Sequence, residues 1–153
     1  MDFTIQPYHG DFEDIMHLMV MSMGMDDAEG ARRLIKVEMA RGTRYFTAVS
    51  EGRMVGVVGV YFDDNDSVDE LEPPQIIDVA VLPDCRRGGV ARALIEHAAQ
   101  QVRAAGRDIL WLYTDGNQPG LLTFYRQLGF QMVSVVPDYF GKGTVKAIFR
   151  RDL

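Results

Sequence analysis

Apolar and polar positions along the chain follow two different periods, and the changes of period mark its elements. Phe3–Pro7 alternates as a short strand. After Gly10, the apolar residues Phe12, Ile15, Met16 and Met19 recur at spacings of three and four, which predicts a helix. Gly24 breaks it, and Asp26 or Asp27 is placed to cap a second helix through Arg41. Arg44–Ser50 and Arg53–Phe62, joined by Glu51-Gly52, predict a β-hairpin. Beyond Pro73-Pro74, Gln75–Leu82 is a near-continuous β-branched run, the pattern of a strand buried on both faces, and Pro83-Asp84 ends it.

From Gly88 to Ala105 the helical period returns at Ala91, Leu94, Ile95, Ala98 and Val102, with Gly106 as the stop. Asp108–Thr114 reads as a second buried strand, Pro119–Leu128 as a short helix ended by Gly129, and Phe130–Val136 and Thr144–Arg150 as two closing strands. Strand–helix–strand over 75–114 implies a parallel pair, and the flanking hairpins imply antiparallel additions. The expected fold is α/β (mixed α+β), a single domain over 1–153. It has a mixed sheet of six or seven strands and about four helices.

Composition narrows the partners. Of 153 residues, 47% are hydrophobic and 25% charged, enough to bury a core. The longest near-apolar stretches, Met54–Phe62 and Ile76–Leu82, fall far short of the roughly 20 residues of a membrane-spanning helix. The N-terminus lacks the layout of a signal peptide, and one cysteine makes no internal disulfide, so a cytoplasmic setting is expected. A net charge of −6 argues against a general nucleic-acid binder. That charge is uneven. Asp63–Glu72 holds six acids and no base, as a solvated loop or as an attractor of a cationic substrate. Cys85–Arg107 holds Arg86, Arg87, Arg92, Arg103 and Arg107 against Glu96 alone.

The strongest chemical signal is RRGGVA, Arg86–Ala91, between the buried strand and the amphipathic helix. The first amides of a helix have no internal acceptor and its dipole favours an anion. Gly88 and Gly89 would let a phosphate approach them, with Arg86, Arg87 and Arg92 at the rim. The competing reading is a tight turn whose glycines serve geometry alone. The run is neither a Walker A loop nor a dinucleotide fingerprint, since both spacings fail. A second signal follows at Asn117, Pro119-Gly120 and FYRQLGF, Phe124–Phe130.

Together these segments resemble the GNAT superfamily of N-acetyltransferases. Its signature, Arg/Gln-x-x-Gly-x-Gly/Ala, is matched by Arg86, Gly89 and Ala91, IIDVAVLPDCR resembles the strand leading into it, and NQPGLLTFYRQLGF the C-terminal motif. The clear resemblance covers about residues 75–130. It implies acetyl-CoA as co-substrate, no metal, and two central parallel strands that splay apart. Val79, Ala80 and Val81 would run along the pantetheine arm. Arg86, Arg87, Gly88, Gly89, Val90, Ala91 and Arg92 would hold the pyrophosphate, and Asn117 and Tyr125 would lie near pantetheine and thiol. The family also forms homodimers, a state that no residue of this sequence fixes.

Transfer to an amine needs a neutral amine, a polarised carbonyl and a stabilised thiolate. A strand amide near Val79 would serve the carbonyl, and the Tyr125 phenol would act as general acid. For the base, the position where many members carry glutamate is Gln75, and members that acetylate ribosomal-protein N-termini carry glutamate where Leu112 stands. Asp78 is the nearest carboxylate on the strand, as base or as hydrogen-bonded structural group, with Glu72 just before it and a water chain as a third route. The set Met16, Met19, Met21, Met23, Met25 and Met39 reads first as plain core packing, with an adaptable apolar wall at the acceptor as the alternative; on that alternative Met23, with Tyr139 of the loop Asp138–Gly143, is a candidate acceptor contact. Cys85, beside two arginines, is expected to have a lowered pKa. His9, His17 and His97 show no metal spacing. The implied function is N-acetylation of a small-molecule or peptide amine. The alternatives are a non-catalytic acetyl-CoA sensor and, against the net charge, a toxin acetylating aminoacyl-tRNA.

Overall fold

A computed structural model describes residues 1–23, 28–62 and 73–153. Gly24, Met25, the proposed caps Asp26 and Asp27, and the acidic run Asp63–Glu72 lie outside the described residues. In chain order the elements are β1 (Thr4–Pro7), α1 (Phe12–Met23), α2 (Ala28–Ala40), β2 (Arg44–Ser50), β3 (Arg53–Tyr61) and β4 (Gln75–Val81). A 3-10 turn at Pro83–Cys85 leads to α3 (Val90–Ala104), β5 (Ile109–Asp115), α4 (Pro119–Gln127), β6 (Gln131–Pro137) and β7 (Val145–Asp152). The seven strands are ordered β1-β2-β3-β4-β5-β7-β6, a mixed sheet as the periodicity predicts.

The chain divides into two compact units, Met1–Tyr61 with Ile77–Gln101 and Phe62–Ile76 with Val102–Leu153. In the first, β1 and β3 flank β2 antiparallel, with a register shift at Ala48/Val49. α1 packs on α2 and β3 through Ile15, Leu18, Ala31 and Ile35, all buried. Leu94, Ile95 and Ala98 bury the apolar stripe of α3. At Gly56 that helix comes close to β3. A Cβ there would lie 2.9 Å from Val90 Cγ1, 3.0 Å from Leu94 Cδ1 and 3.3 Å from the Ala80 carbonyl oxygen.

In the second unit, β7 lies between β5 and β6, both antiparallel to it. Phe130 and Phe149 are buried beside α4, which packs on β5 and β6. Gly129, at φ 87°, ends that helix and turns the chain so that the Phe130 N–H donates to the Tyr125 carbonyl at 3.1 Å. β4 pairs with β5 in parallel at Gln75 and Trp111, where the Trp111 N–H donates to the Pro74 carbonyl at 2.9 Å.

Two sequence expectations need correction. β4 is not buried on both faces: Ile76, Ala80 and Val81 are buried, whereas Ile77, Asp78 and Val79 stay half-buried. β5 alternates instead of being buried throughout, with Leu110 and Leu112 inside and Tyr113 exposed. A continuous β-branched run reports strand preference more strongly than cover, because the same residues suit a face left partly open.

Gly56→Ala is expected to lower stability by about 1–3 kcal/mol through overpacking against α3. Chemical denaturation checks this as a lower midpoint at unchanged slope.

Candidate functional site

The segment between β4 and α3 is a turn fixed at both ends. Leu82 closes β4 with its N–H donating to the Val55 carbonyl at 2.9 Å, and the Cys85 N–H returns to the Leu82 carbonyl at 2.9 Å. Arg87 and Gly89 then adopt left-handed conformations, φ 66° and 81°. For Arg87 this costs on the order of 1–2 kcal/mol, which the anchors on either side must sustain. The Gly89 carbonyl accepts from the Ala93 N–H at 3.0 Å, so α3 begins there and the amides of Val90, Ala91 and Arg92 have no acceptor within the helix.

No acidic side chain occupies the first turn of α3, and Arg86, Arg87, Gly88 and Gly89 are exposed. The turn therefore presents uncompensated positive potential without side chains at its two glycines, a fit to a pyrophosphate. The Arg86 side chain has another task. Its guanidinium donates from Nε to the Val81 carbonyl at 3.3 Å and from a terminal nitrogen to the Ser22 carbonyl, tying the turn to the ends of β4 and α1. Arg92 is exposed on the first turn, whereas Arg103 sits in the last, about three helical turns away. The basic stretch thus contributes only its first part to this turn.

On β4, Asp78 accepts a hydrogen bond from the Tyr45 hydroxyl at 3.0 Å. Tyr45 belongs to β2, so its ring must cross β3 to reach β4. It does so over Gly59, its partner in the β2–β3 register, where a Cβ would lie 2.8 Å from Tyr45 Cε1. Glu38 of α2 accepts from Thr43 Oγ1 at 2.7 Å and from Arg41 Nε at 2.8 Å. Burial pushes the Asp78 carboxyl up to about 6; the Tyr45 bond pulls it down, and the charge of Glu38 raises it. Burial first, then the negative charge of Asp78, pushes the Tyr45 phenol far above its ordinary range, so it remains a donor. The sequence reading found Asp78 but missed Tyr45, Gly59 and Glu38. A signal existed: Tyr45 opposite Gly59 across the hairpin is an aromatic–glycine pair.

In the second unit, Tyr125 is 8% exposed, with ring centroids of Phe124, Phe149 and Phe130 at 5.2, 5.8 and 6.1 Å. Burial pushes its phenol up to about 12. The Asn117 N–H donates to Asp115 Oδ1 at 2.9 Å and its Nδ2 to the Gly143 carbonyl at 3.0 Å, holding the β6–β7 loop. In that loop Tyr139 is exposed, and Lys146 Nζ lies 4.0 Å from its ring centre. Leu112 is buried. Met23 ends α1, and its side chain lies outside the described residues.

Cys85 differs from expectation. Its thiol is buried and donates to Asp84 Oδ1 at 3.6 Å, and both burial and that charge push its pKa up rather than down. His97, half-buried, packs edge-on against Phe46 at 4.7 Å, and burial lowers its pKa. Among the described residues no His/Cys/Asp/Glu cluster could hold a metal. A cavity of about 580 Å³ opens in the first unit between α1 and the β1–β3 strands, lined by Tyr8, Asp14, His17, Met21, Thr47 and Arg53 among others. Of the methionine set read from the sequence, Met21 lines it; Asp78, Tyr125, Tyr139 and the Arg86–Arg92 turn do not.

A model of the Acetyltransferase (GNAT) family matches residues 12–130. An uncharacterised N-acetyltransferase of Methanocaldococcus jannaschii is 30% identical over 95 residues, 62% of this chain and 42% of that protein. The ribosomal protein bS18-alanine N-acetyltransferase of Escherichia coli is 30% identical over 70 residues, 46% of this chain and 47% of that protein. The matched regions thus span less than half the length of these curated relatives. Among solved structures, a GNAT family acetyltransferase from Elizabethkingia anophelis with acetyl-CoA bound shares the fold at a TM-score of 0.79 and 15% identity. The match covers 99% of this chain and 98% of that one.

Asp78 has an ordinary carboxyl pKa of 3.8 when unfolded and about 6 when folded. A raised folded value stabilises fully below about pH 4, and that contribution disappears as pH rises through 6, a loss of about 3 kcal/mol by neutral pH. Asp78→Asn is therefore expected to remove this pH dependence. Denaturant midpoints measured from pH 4 to pH 7.5 check it; parallel wild-type and variant curves would contradict it.

Proposed function

Since the chain belongs to the Acetyltransferase (GNAT) family, we propose that it is an acetyl-CoA-dependent N-acetyltransferase acting by direct transfer on a primary amine of a small molecule or peptide. The observation that carries this reading is the turn at Arg86–Gly89, with its left-handed residues and the free amides that open α3. The amides of Gly88 to Arg92, with Arg87, would hold the pyrophosphate, and the backbone of Val79–Val81 would follow the pantetheine arm. Residues 1–153 are proposed to work as one catalytic domain, a reading supported by a family match that runs through both units. One buried, free cysteine supports a cytoplasmic setting.

Acetyl-CoA supplies the activated acyl group, and this chain's own residues manage the protons. Asp78 is proposed as the base. With a pKa of about 6 it is mainly ionised at neutral pH, yet a stronger proton acceptor than an ordinary carboxylate. An alkylammonium near 10.4 lies about four units above it, roughly 6 kcal/mol, whereas an α-amine near 8 lies about two units above, roughly 3 kcal/mol. The smaller gap favours an acceptor of low basicity. Tyr125 is proposed as the general acid. At about 12 its phenol stays protonated, but it stands about 3.5 units above a thiol near 8.5. Its contribution is therefore mainly a hydrogen bond to the developing thiolate.

Thiol release from acetyl-CoA, measured over a panel of a polyamine, an aminoglycoside and a peptide with a free N-terminus, tests the reading. The peptide or aminoglycoside is expected to turn over faster than the polyamine. Tyr125→Phe is expected to lower kcat about 10- to 100-fold, the worth of a hydrogen bond to a charged group. The wild-type rate should rise with pH through about 6 as Asp78 loses its proton, and Asp78→Asn should lose both that limb and most of its rate. Binding of acetyl-CoA without turnover of any amine would point instead to a sensor.

A further inference from the structure

We propose that Tyr45 is a positioning residue for the reaction, which holds the Asp78 carboxylate across the sheet, and that Gly59 exists to let Tyr45 reach it. The inference rests on Asp78 being the base.

The geometry begins with strand spacing. Neighbouring strands lie about 4.8 Å apart, so β2 and β4 are separated by about 9.6 Å with β3 between them. A side chain on β2 can reach a carboxylate on β4 only by lying flat across β3, and the residue beneath it must have no Cβ. Gly59 meets that condition: a Cβ there would fall 2.8 Å from Cε1 and 3.3 Å from Cδ1 and Cζ of the Tyr45 ring. These are ring atoms of a buried side chain, not the free end of a flexible one. The bridge ends in a hydroxyl donating to Asp78 Oδ2 at 3.0 Å.

One oxygen of Asp78 is thereby fixed, and a carboxylate has a second oxygen and further lone pairs with which to accept a proton. The bond orients the group at some cost in basicity, and it leaves the second oxygen free of Tyr45. It favours the charged form, and so opposes the desolvation that would otherwise keep the carboxyl protonated at neutral pH. Glu38 acts in the opposite direction. Its negative charge on α2 raises the affinity of Asp78 for a proton, while its own carboxylate is steadied by Thr43 and Arg41. Arg41 also eases the burden of negative charge on Tyr45. Among the described residues, the charges that act on the Tyr45–Asp78 pair are those of Glu38 on α2 and Arg41 just beyond it. Asp78 sits between a donor that promotes ionisation and an anion that resists it, a balance suited to a base that must be empty yet avid near neutral pH.

The test needs no acceptor. In protein labelled with 13C at the aspartate side chains, the Asp78 carboxyl resonance, assigned by its loss in Asp78→Asn, is followed against pH. Wild type is expected to titrate near 6. Tyr45→Phe removes the donor and should move the midpoint up by roughly half a unit or more, the scale of one hydrogen bond. Glu38→Gln removes the neighbouring charge and should move it down. Gly59→Ala should follow Tyr45→Phe, because it displaces the same ring. An upward shift shared by Tyr45→Phe and Gly59→Ala supports the proposal, because a loosened fold would rehydrate the carboxyl and move its midpoint down instead. An unchanged midpoint in Tyr45→Phe overturns it, even if Asp78→Asn abolishes turnover. Unaltered turnover and pH profile in Asp78→Asn overturn the role of Asp78 as base, whatever the resonance does.

Discussion

The hydrogen bond from Tyr45 to Asp78 is the constraint around which the first unit is arranged. A carboxylate in the half-buried middle of a strand loses hydration, and it persists only where a donor replaces part of it. Here the donor comes from two strands away. That requirement fixes a tyrosine on β2, a glycine on β3 and the register that sets them opposite each other. The hairpin is thus more than a cover for apolar surface. It carries a polar group to a place that local sequence around Asp78 cannot supply.

The turn that follows β4 shows the same division between scaffold and site. Apolar residues hold its two ends: Leu82 and Cys85 before it, Val90 after it, all buried. Between them the backbone adopts conformations that cost energy at Arg87 and cost little at Gly89. Arg86 donates to the carbonyls of Val81 and Ser22, so its guanidinium serves as a clamp while its charge stays beside the turn. The amides of α3, rather than a row of arginines, remain as the anion-attracting groups. This reduces the meaning of the basic stretch from Cys85 to Arg107 and sharpens the meaning of the glycines.

Legibility from the sequence varied with the range of the interaction. The hairpin, α3 and α4 were legible to within one or two residues, because period, turn residues and stop glycines act over a few positions. The turn between β4 and α3 was legible for the same reason: strand, glycines and helix are contiguous. The carboxylate on β4 was only half legible. Asp78 stood out as a carboxylate on a strand, but its partners lie 33 and 40 positions upstream, and nothing local ties them to it. Cys85 was misread for a related reason. Its flanking arginines suggested a lowered pKa, whereas its burial and its neighbour Asp84 decide the opposite. Charge in sequence is not charge in space.

By itself the sequence determined the class of fold, the order of its elements and the chemistry of the strand–turn–helix segment, since these follow from periodicity and from residues adjacent in the chain. The tertiary structure alone decided which face of β4 stays open, that Arg86 is spent on carbonyls, and that Tyr45 reaches Asp78 across Gly59. Those outcomes depend on sheet order and on the register between strands, and so on where distant segments meet once the core is packed. Desolvation and through-space charge act only after that meeting, so the ionisation of Asp78 is a property of the folded sheet and not of the residue.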